Sequence, residues 1–151
     1  MTSMMARKPA VAHGRRAPAL ALLDLIRPQN QTLAGRRILV VEDEMLVLMD
    51  IQDMLADLGC TAVVAAATVT QALQSISLAP PDAALLDLNL DGDRSYDVAD
   101  SLSEHHVPFA FATGYGAHGM RLQDTKRPLL VKPYQASDLA RTLAGLLEIE
   151  L

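Results

Sequence analysis

Five times along this chain, a short apolar run gives way to a stretch whose apolar residues recur every three or four positions. The runs cover residues 38–41, 61–66, 83–86, 109–112 and 129–131. Continuous apolar runs of this length suit strands buried on both faces. After the first run, Leu48, Ile51, Leu55 and Leu58 alternate with Asp50, Gln52, Asp53 and Asp57, and Gly59 closes an amphipathic helix. Thr68 and Gln71 form a capping box for a second helix with Val69, Leu73 and Ile76 inward, broken by Pro80 and Pro81. Residues 95–105 predict a third helix, with Val98 and Leu102 buried. Residues 91–93 (Asp-Gly-Asp) read as a loop, and no hairpin is expected anywhere. A glycine-rich loop at 114–119 leads to a short, weak helix near 120–125. The last helix spans 135–147, with Leu139, Leu143 and Leu146 on one face.

Repeated βα units of this length predict an α/β fold, a five-stranded parallel sheet with helices on both faces. Right-handed crossovers leave few topologies, and the order 2-1-3-4-5 fits five strands. Its switch point lies between strands one and three, and ligands bind at the carboxyl ends of such strands.

Those ends carry a distinctive set. Glu42 and Asp43 follow the first strand, Asp87 the third, Thr113 the fourth and Lys132 the fifth. Carboxylates about 4 Å apart repel by roughly 4 kcal/mol per pair at an effective dielectric near 20. A divalent cation removes that cost, and Mg²⁺ suits a hard oxygen site that also takes a phosphate. Lys132 offers a compact cation for a phosphoryl oxygen, and Thr113 a neutral donor. A carboxylate is also a nucleophile toward phosphorus. Asp87, between the acidic pair and the lysine, is the candidate.

Composition narrows the classes further. Residues 1–37 hold seven Lys or Arg against one acid, and residues 38–151 hold six against seventeen. The folded part is acidic and is expected to repel nucleic acid. With three Tyr, two Phe and no Trp, it also has no stacking platform for single strands. The basic residues 1–35 are expected to form a flexible extension, with a short helix at 19–26, ahead of a domain at 36–151. No apolar run reaches the length of a membrane span. The single cysteine, Cys60, reads as a small core residue in a reducing compartment, the cytoplasm.

Four segments together resemble the receiver domain of response regulators. They are Arg37-Ile38-Leu39-Val40-Val41-Glu42-Asp43-Glu44, Leu85-Leu86-Asp87-Leu88-Asn89-Leu90, Phe111-Ala112-Thr113-Gly114-Tyr115 and Val131-Lys132-Pro133-Tyr134. The third is similar to the Phe-Ala-Thr-Gly-Tyr motif of alphaproteobacterial single-domain receivers, some of which act in general stress signalling. The resemblance implies a flavodoxin-like receiver fold and a two-component system. Asp87 would accept a phosphoryl group from a histidine kinase or histidine phosphotransferase. Asp43, Asp87 and the Asn89 backbone carbonyl would ligate Mg²⁺, with Glu42 acting through water. Lys132 would pair with the phosphoryl group, Thr113 would carry the switch, and the Lys132–Pro133 peptide would be cis. Output would pass to a downstream protein effector through the face built by residues 120–125, 129–131 and 135–147. A phosphorelay intermediate or phosphate sink is the alternative. No enzyme activity is implied beyond self-phosphorylation from a phosphodonor and autodephosphorylation. Oligomeric state is left open.

Two features depart from that pattern or compete with it. The usual aromatic switch position, three before the lysine, is Leu129 here, and Tyr115 is the substitute. Its ring, two residues past Thr113, would shield an aspartyl phosphate from water. Gly114, Gly116 and Gly119 also match G-x-G-x-x-G. A dinucleotide fingerprint belongs in the first βα turn, however, and this one follows the fourth strand, so the glycines read as a mobile switch loop.

Overall fold

The structure, a computed structural model, describes residues 32–114 and 116–150. Strands β1 (Arg37–Val41), β2 (Ala62–Ala66), β3 (Ala83–Asp87), β6 (Phe109–Thr113) and β7 (Leu129–Val131) form one parallel sheet in the order β2-β1-β3-β6-β7. Counted among the parallel strands alone, this is the predicted 2-1-3-4-5. Helices α1 (Met45–Asp57), α2 (Val69–Leu78), α3 (Tyr96–Glu104) and α4 (Ala136–Leu147) complete it.

The strands are apolar without a break because both faces are covered. Ile38 and Val40 of β1 join Leu48, Ile51, Leu55, Leu139 and Leu143 in one core layer, under α1 and α4. Leu39 and Val41 point the other way, into a layer with Ala72, Ile76, Val98, Leu102, Phe109 and Phe111. The two-residue period of a strand sorts its side chains between the layers. Cys60 is buried in the first layer, its thiol donating to the Arg36 carbonyl at 3.5 Å.

The predicted N-cap of α2 is present. Thr68 Oγ1 accepts from Gln71 N (3.1 Å), while Gln71 Oε1 reaches back to Ala67 N (2.9 Å). Gln135 and Asp138 form a reciprocal capping box on α4.

Three local readings change. First, a hairpin exists: β4 (Asn89–Leu90) and β5 (Asp93–Arg94) pair antiparallel directly after β3. Its turn is Asp91-Gly92, both at positive φ (49° and 88°), the conformation a two-residue hairpin turn needs. Second, 120–125 forms no α-helix, only a 3₁₀ turn at Leu122–Asp124. Six residues are too few to offset helix nucleation without a buried face, and Leu122 points out, 88% exposed. Third, the packed body begins before residue 36. Leu33 is wholly buried, and its N–H donates to the Leu58 carbonyl at 3.0 Å. The helix expected at 19–26, like most of the 1–35 segment, lies outside the described residues.

Candidate functional site

Every predicted strand-end residue that the structure describes lies at the carboxyl edge of the sheet. β1, β3, β6 and β7 are consecutive neighbours there. Register sets the heights: Val41 pairs with Leu86, Asp87 with Ala112, and Thr113 with Val131. Glu42 follows β1 directly and is level with Asp87, while Lys132 starts two residues beyond that level and its long side chain reaches back to the acids.

Carboxylate oxygens of Glu42, Asp43 and Asp87 all lie within 4.8 Å of one another. Glu42 is 1% exposed. Lys132 Nζ bridges two of the acids, 2.7 Å from Glu42 Oε2 and 3.1 Å from Asp87 Oδ2. Asp87 Oδ1 accepts from the Asn89 backbone N–H at 3.1 Å, and Glu42 Oε1 from Glu44 N at 3.1 Å. Burial, with Asp87 nearby, pushes the Glu42 carboxyl above its ordinary value despite the hydrogen bond from Lys132. Burial opposes the charge on Lys132, but Glu42 and Asp87 outweigh it and hold the ammonium above its ordinary value. One cation is thus shared by a crowded anionic cluster.

Thr113 is buried at the end of β6, and its carbonyl accepts from Lys132 N at 2.8 Å. The Lys132–Pro133 peptide is cis. Asn89 opens the hairpin, where Leu90 faces Asp93 across the turn and Ser95 N donates to the Leu88 carbonyl at 3.1 Å. Alternation along an antiparallel ladder leaves the Asn89 carbonyl outside those bonds. Tyr115 lies outside the described residues.

The donor set fits Mg²⁺ on its chemistry, since its ligand atoms are hard carboxylate oxygens only. Three crowded carboxylates sharing one ammonium are short of positive charge, which a divalent ion would supply.

Sequence reasoning missed a second cluster beside the site. Arg121 donates from Nε to Asp124 Oδ2 (2.7 Å) and bidentately to Asp100 of α3 (2.8 and 3.2 Å). Its guanidinium also stacks 4.7 Å from the Tyr96 ring centroid. The Tyr96 hydroxyl donates to the Gly119 carbonyl. These contacts fasten the loop after Thr113 to α3. At Gly119 (φ 87°) a Cβ would lie 2.6 Å from Nη1 of the flexible Arg94 side chain, while Gly114 and Gly116 have open space on that side. Gly116 and Gly119 both hold the positive φ that glycine allows, and no α-helix follows the match as a dinucleotide turn requires.

A family model described as the response regulator receiver domain matches residues 38–144. The chain belongs to that family. SdrG from Sphingomonas melonis Fr1, solved in solution, is 40% identical, covering 74% of this chain and 96% of that one with a TM-score of 0.67. The phyllosphere-induced regulator PhyR of Methylorubrum extorquens is 31% identical over 131 residues, 80% of this chain and 48% of PhyR. The chain spans about half the length of the curated relatives it matches. The receiver domain of the sensor histidine kinase PA1611 from Pseudomonas aeruginosa PAO1 is 27% identical, covering 76% of this chain and 99% of that one with a TM-score of 0.65. It holds a magnesium ion in its active-site cleft. Membership places this receiver in two-component signalling, where phosphorylation and Mg²⁺ are typical. Family members are generally signalling modules rather than enzymes. Among the described residues, no helix is long and apolar enough to cross a membrane.

Proposed function

We propose that this receiver accepts a phosphoryl group on Asp87 from a phosphohistidine of a histidine kinase or histidine phosphotransferase, in the cytoplasm. The observation that carries the reading is Asp87 itself, nine-tenths buried at the crevice floor, with Lys132 Nζ at 3.1 Å and two further acids alongside. A carboxylate oxygen of Asp87 attacks phosphorus, the N–P bond breaks, and the imidazole leaves with the electron pair. Asp43, Asp87 and the Asn89 carbonyl would hold Mg²⁺, with Glu42 reaching it through water; the ion would neutralise charge on the transferring group. The Asn89 N–H orients Asp87. Lys132, now divided between two carboxylates, turns to a phosphoryl oxygen once Asp87 is esterified. Thr113 turns toward the same group and draws the following loop with it. That movement would reach a downstream protein through the face of the 3₁₀ turn, β7 and α4, where Leu122 and Val131 are exposed. SdrG has also been solved in a BeF3-activated conformation, which supports reading this site type as a phosphoryl acceptor.

The test is incubation with Mg²⁺ and acetyl phosphate, followed by intact mass. An acid-stable, base-labile phosphoryl adduct is expected on the wild type and absent from Asp87→Asn. An adduct that persists in Asp87→Asn overturns the assignment.

A further inference from the structure

Two strands end the sheet, and β2 is the unguarded one. Its sequence, Ala62-Val63-Val64-Ala65-Ala66, holds no charge and no proline. Natural edge strands are usually blunted by such residues because an open edge is a template for pairing. The open groups can be named. The Ala66 carbonyl accepts from Glu42 N at 3.0 Å, toward β1. Backbone groups alternate sides along a strand, so residues 62, 64 and 66 face β1, and the N–H and C=O of Val63 and Ala65 face outward. No described residue pairs with them. The next outward donor, Ala67 N, is already held by Gln71 Oε1 at 2.9 Å.

The flank above this edge carries methionines, with exposed Asp53 one turn beyond Met49 as the nearest acid on α1. Leu48, Ile51 and Leu55 turn α1 onto the sheet. Val47, Asp50, Ile51 and Met54 line a groove of about 360 Å³ against Lys132, Pro133 and Tyr134, on the side away from β2. Helical periodicity turns Met45, Met49, Gln52 and Ala56 to the opposite side, over β2. Met45 and Met49 are more than half exposed. In a body as acidic as residues 38–151, an open edge flanked by Met45 and Met49 sets few carboxylates against a second copy.

We propose that β2 pairs antiparallel with β2 of a second copy about a two-fold axis at Val64. In that register Val63 faces Ala65 of the other copy, and each pair exchanges two N–H···O bonds, four in all. Every bond uses only groups that β1 leaves open. The two sheets become one of ten strands, with the Met45 and Met49 flanks meeting across the axis. The phosphoacceptor crevice stays open at the carboxyl ends, so pairing does not depend on phosphorylation.

Sedimentation velocity of the full chain, from low to high micromolar, tests this with and without Mg²⁺ and acetyl phosphate. A monomer–dimer equilibrium indifferent to phosphodonor is expected. Ala65→Pro deletes an outward N–H that β1 does not use, a place where an edge strand tolerates proline. It removes two of the four bonds and should raise the dissociation constant at least about tenfold. Ala65→Lys guards the edge by charge and should act likewise. Hydrogen exchange gives an independent reading: the Val63 and Ala65 amides should gain protection as concentration rises, while Val64 stays protected throughout. A full chain monomeric at every concentration, as when its own residues 1–31 cover the edge, overturns the proposal. So does a dimer that survives both variants or forms only with acetyl phosphate.

Discussion

Replacing Lys132 by methionine keeps the length of the stem and deletes its charge. In the structure the ammonium lies 2.7 Å from Glu42 and 3.1 Å from Asp87. At an effective dielectric near 20, those attractions are about 6 and about 5 kcal/mol gross. Burial of the ammonium and of Glu42 offsets most of this. Removing one partner of a buried ion pair costs about 3–5 kcal/mol net, and a lysine that still meets water at the crevice mouth belongs at the lower end. Three acids then share the crevice with no cation, within 4.8 Å of one another. Without metal, Lys132→Met should therefore lose about 3 kcal/mol, or roughly 10 °C in Tm for a domain of this size. Mg²⁺ should recover much of the loss, because it binds the folded site and not the unfolded chain. The assay is thermal and urea unfolding in EDTA and in millimolar Mg²⁺, with Asp87→Asn alongside. Asp87→Asn relieves repulsion and should raise Tm in EDTA. A metal-free loss below about 0.5 kcal/mol, or an equal Mg²⁺ response in wild type and Lys132→Met, would refute the claim that Lys132 balances the acidic cluster.

Two other groups give independent checks. Burial pushes the Tyr134 phenol up to about 12, and among the described residues its hydroxyl has no hydrogen-bond partner. The folded state thus holds that proton more tightly than the unfolded chain, so its contribution is complete below about pH 10 and is lost as pH climbs toward 12. Absorbance titration should show one late tyrosinate, absent in Tyr134→Phe. Arg121→Gln would leave the buried Asp124 carboxylate without its cation and free the loop from Asp100. A cost of about 2 kcal/mol is expected by urea unfolding, smaller in Arg121→Gln paired with Asp124→Asn than the sum of the single changes.

What the sequence disclosed and what it hid follow from the range of the interactions involved. Strands 38–41, 83–86 and 109–112 were legible because burial on both faces leaves no room for polar residues. Glu42, Asp87 and Lys132 stood out because each interrupts such a run at its carboxyl end; parallel register then sets Glu42 beside Asp87, and the length of the lysine side chain spans the remaining two residues. The hairpin at 89–94 was missed although its signal, Asp91-Gly92, was present. Strands of two residues have no periodicity to read, and their pairing depends on Ser95 anchoring to Leu88. The Arg121 cluster was invisible for a different reason. Its partners sit three, twenty-one and twenty-five residues away, and only the folded position of α3 brings Asp100 and Tyr96 to one guanidinium. The short helix expected near 120–125 shrinks to a 3₁₀ turn at Leu122–Asp124, since the chain there is held by that guanidinium rather than by an apolar stripe.

The groups proposed to react ride on four adjacent strand ends, while α1 and α4 pack on one face of the sheet and α2 and α3 on the other. In the proposed reading, most of the recognition surface is thereby mounted apart from the chemistry. Side chains on the helix exteriors can be exchanged to suit another kinase or another listener, and the geometry at the tips of β1, β3, β6 and β7 is left as it was. On that reading, surface substitutions alone would rewire such a chain within a signalling network.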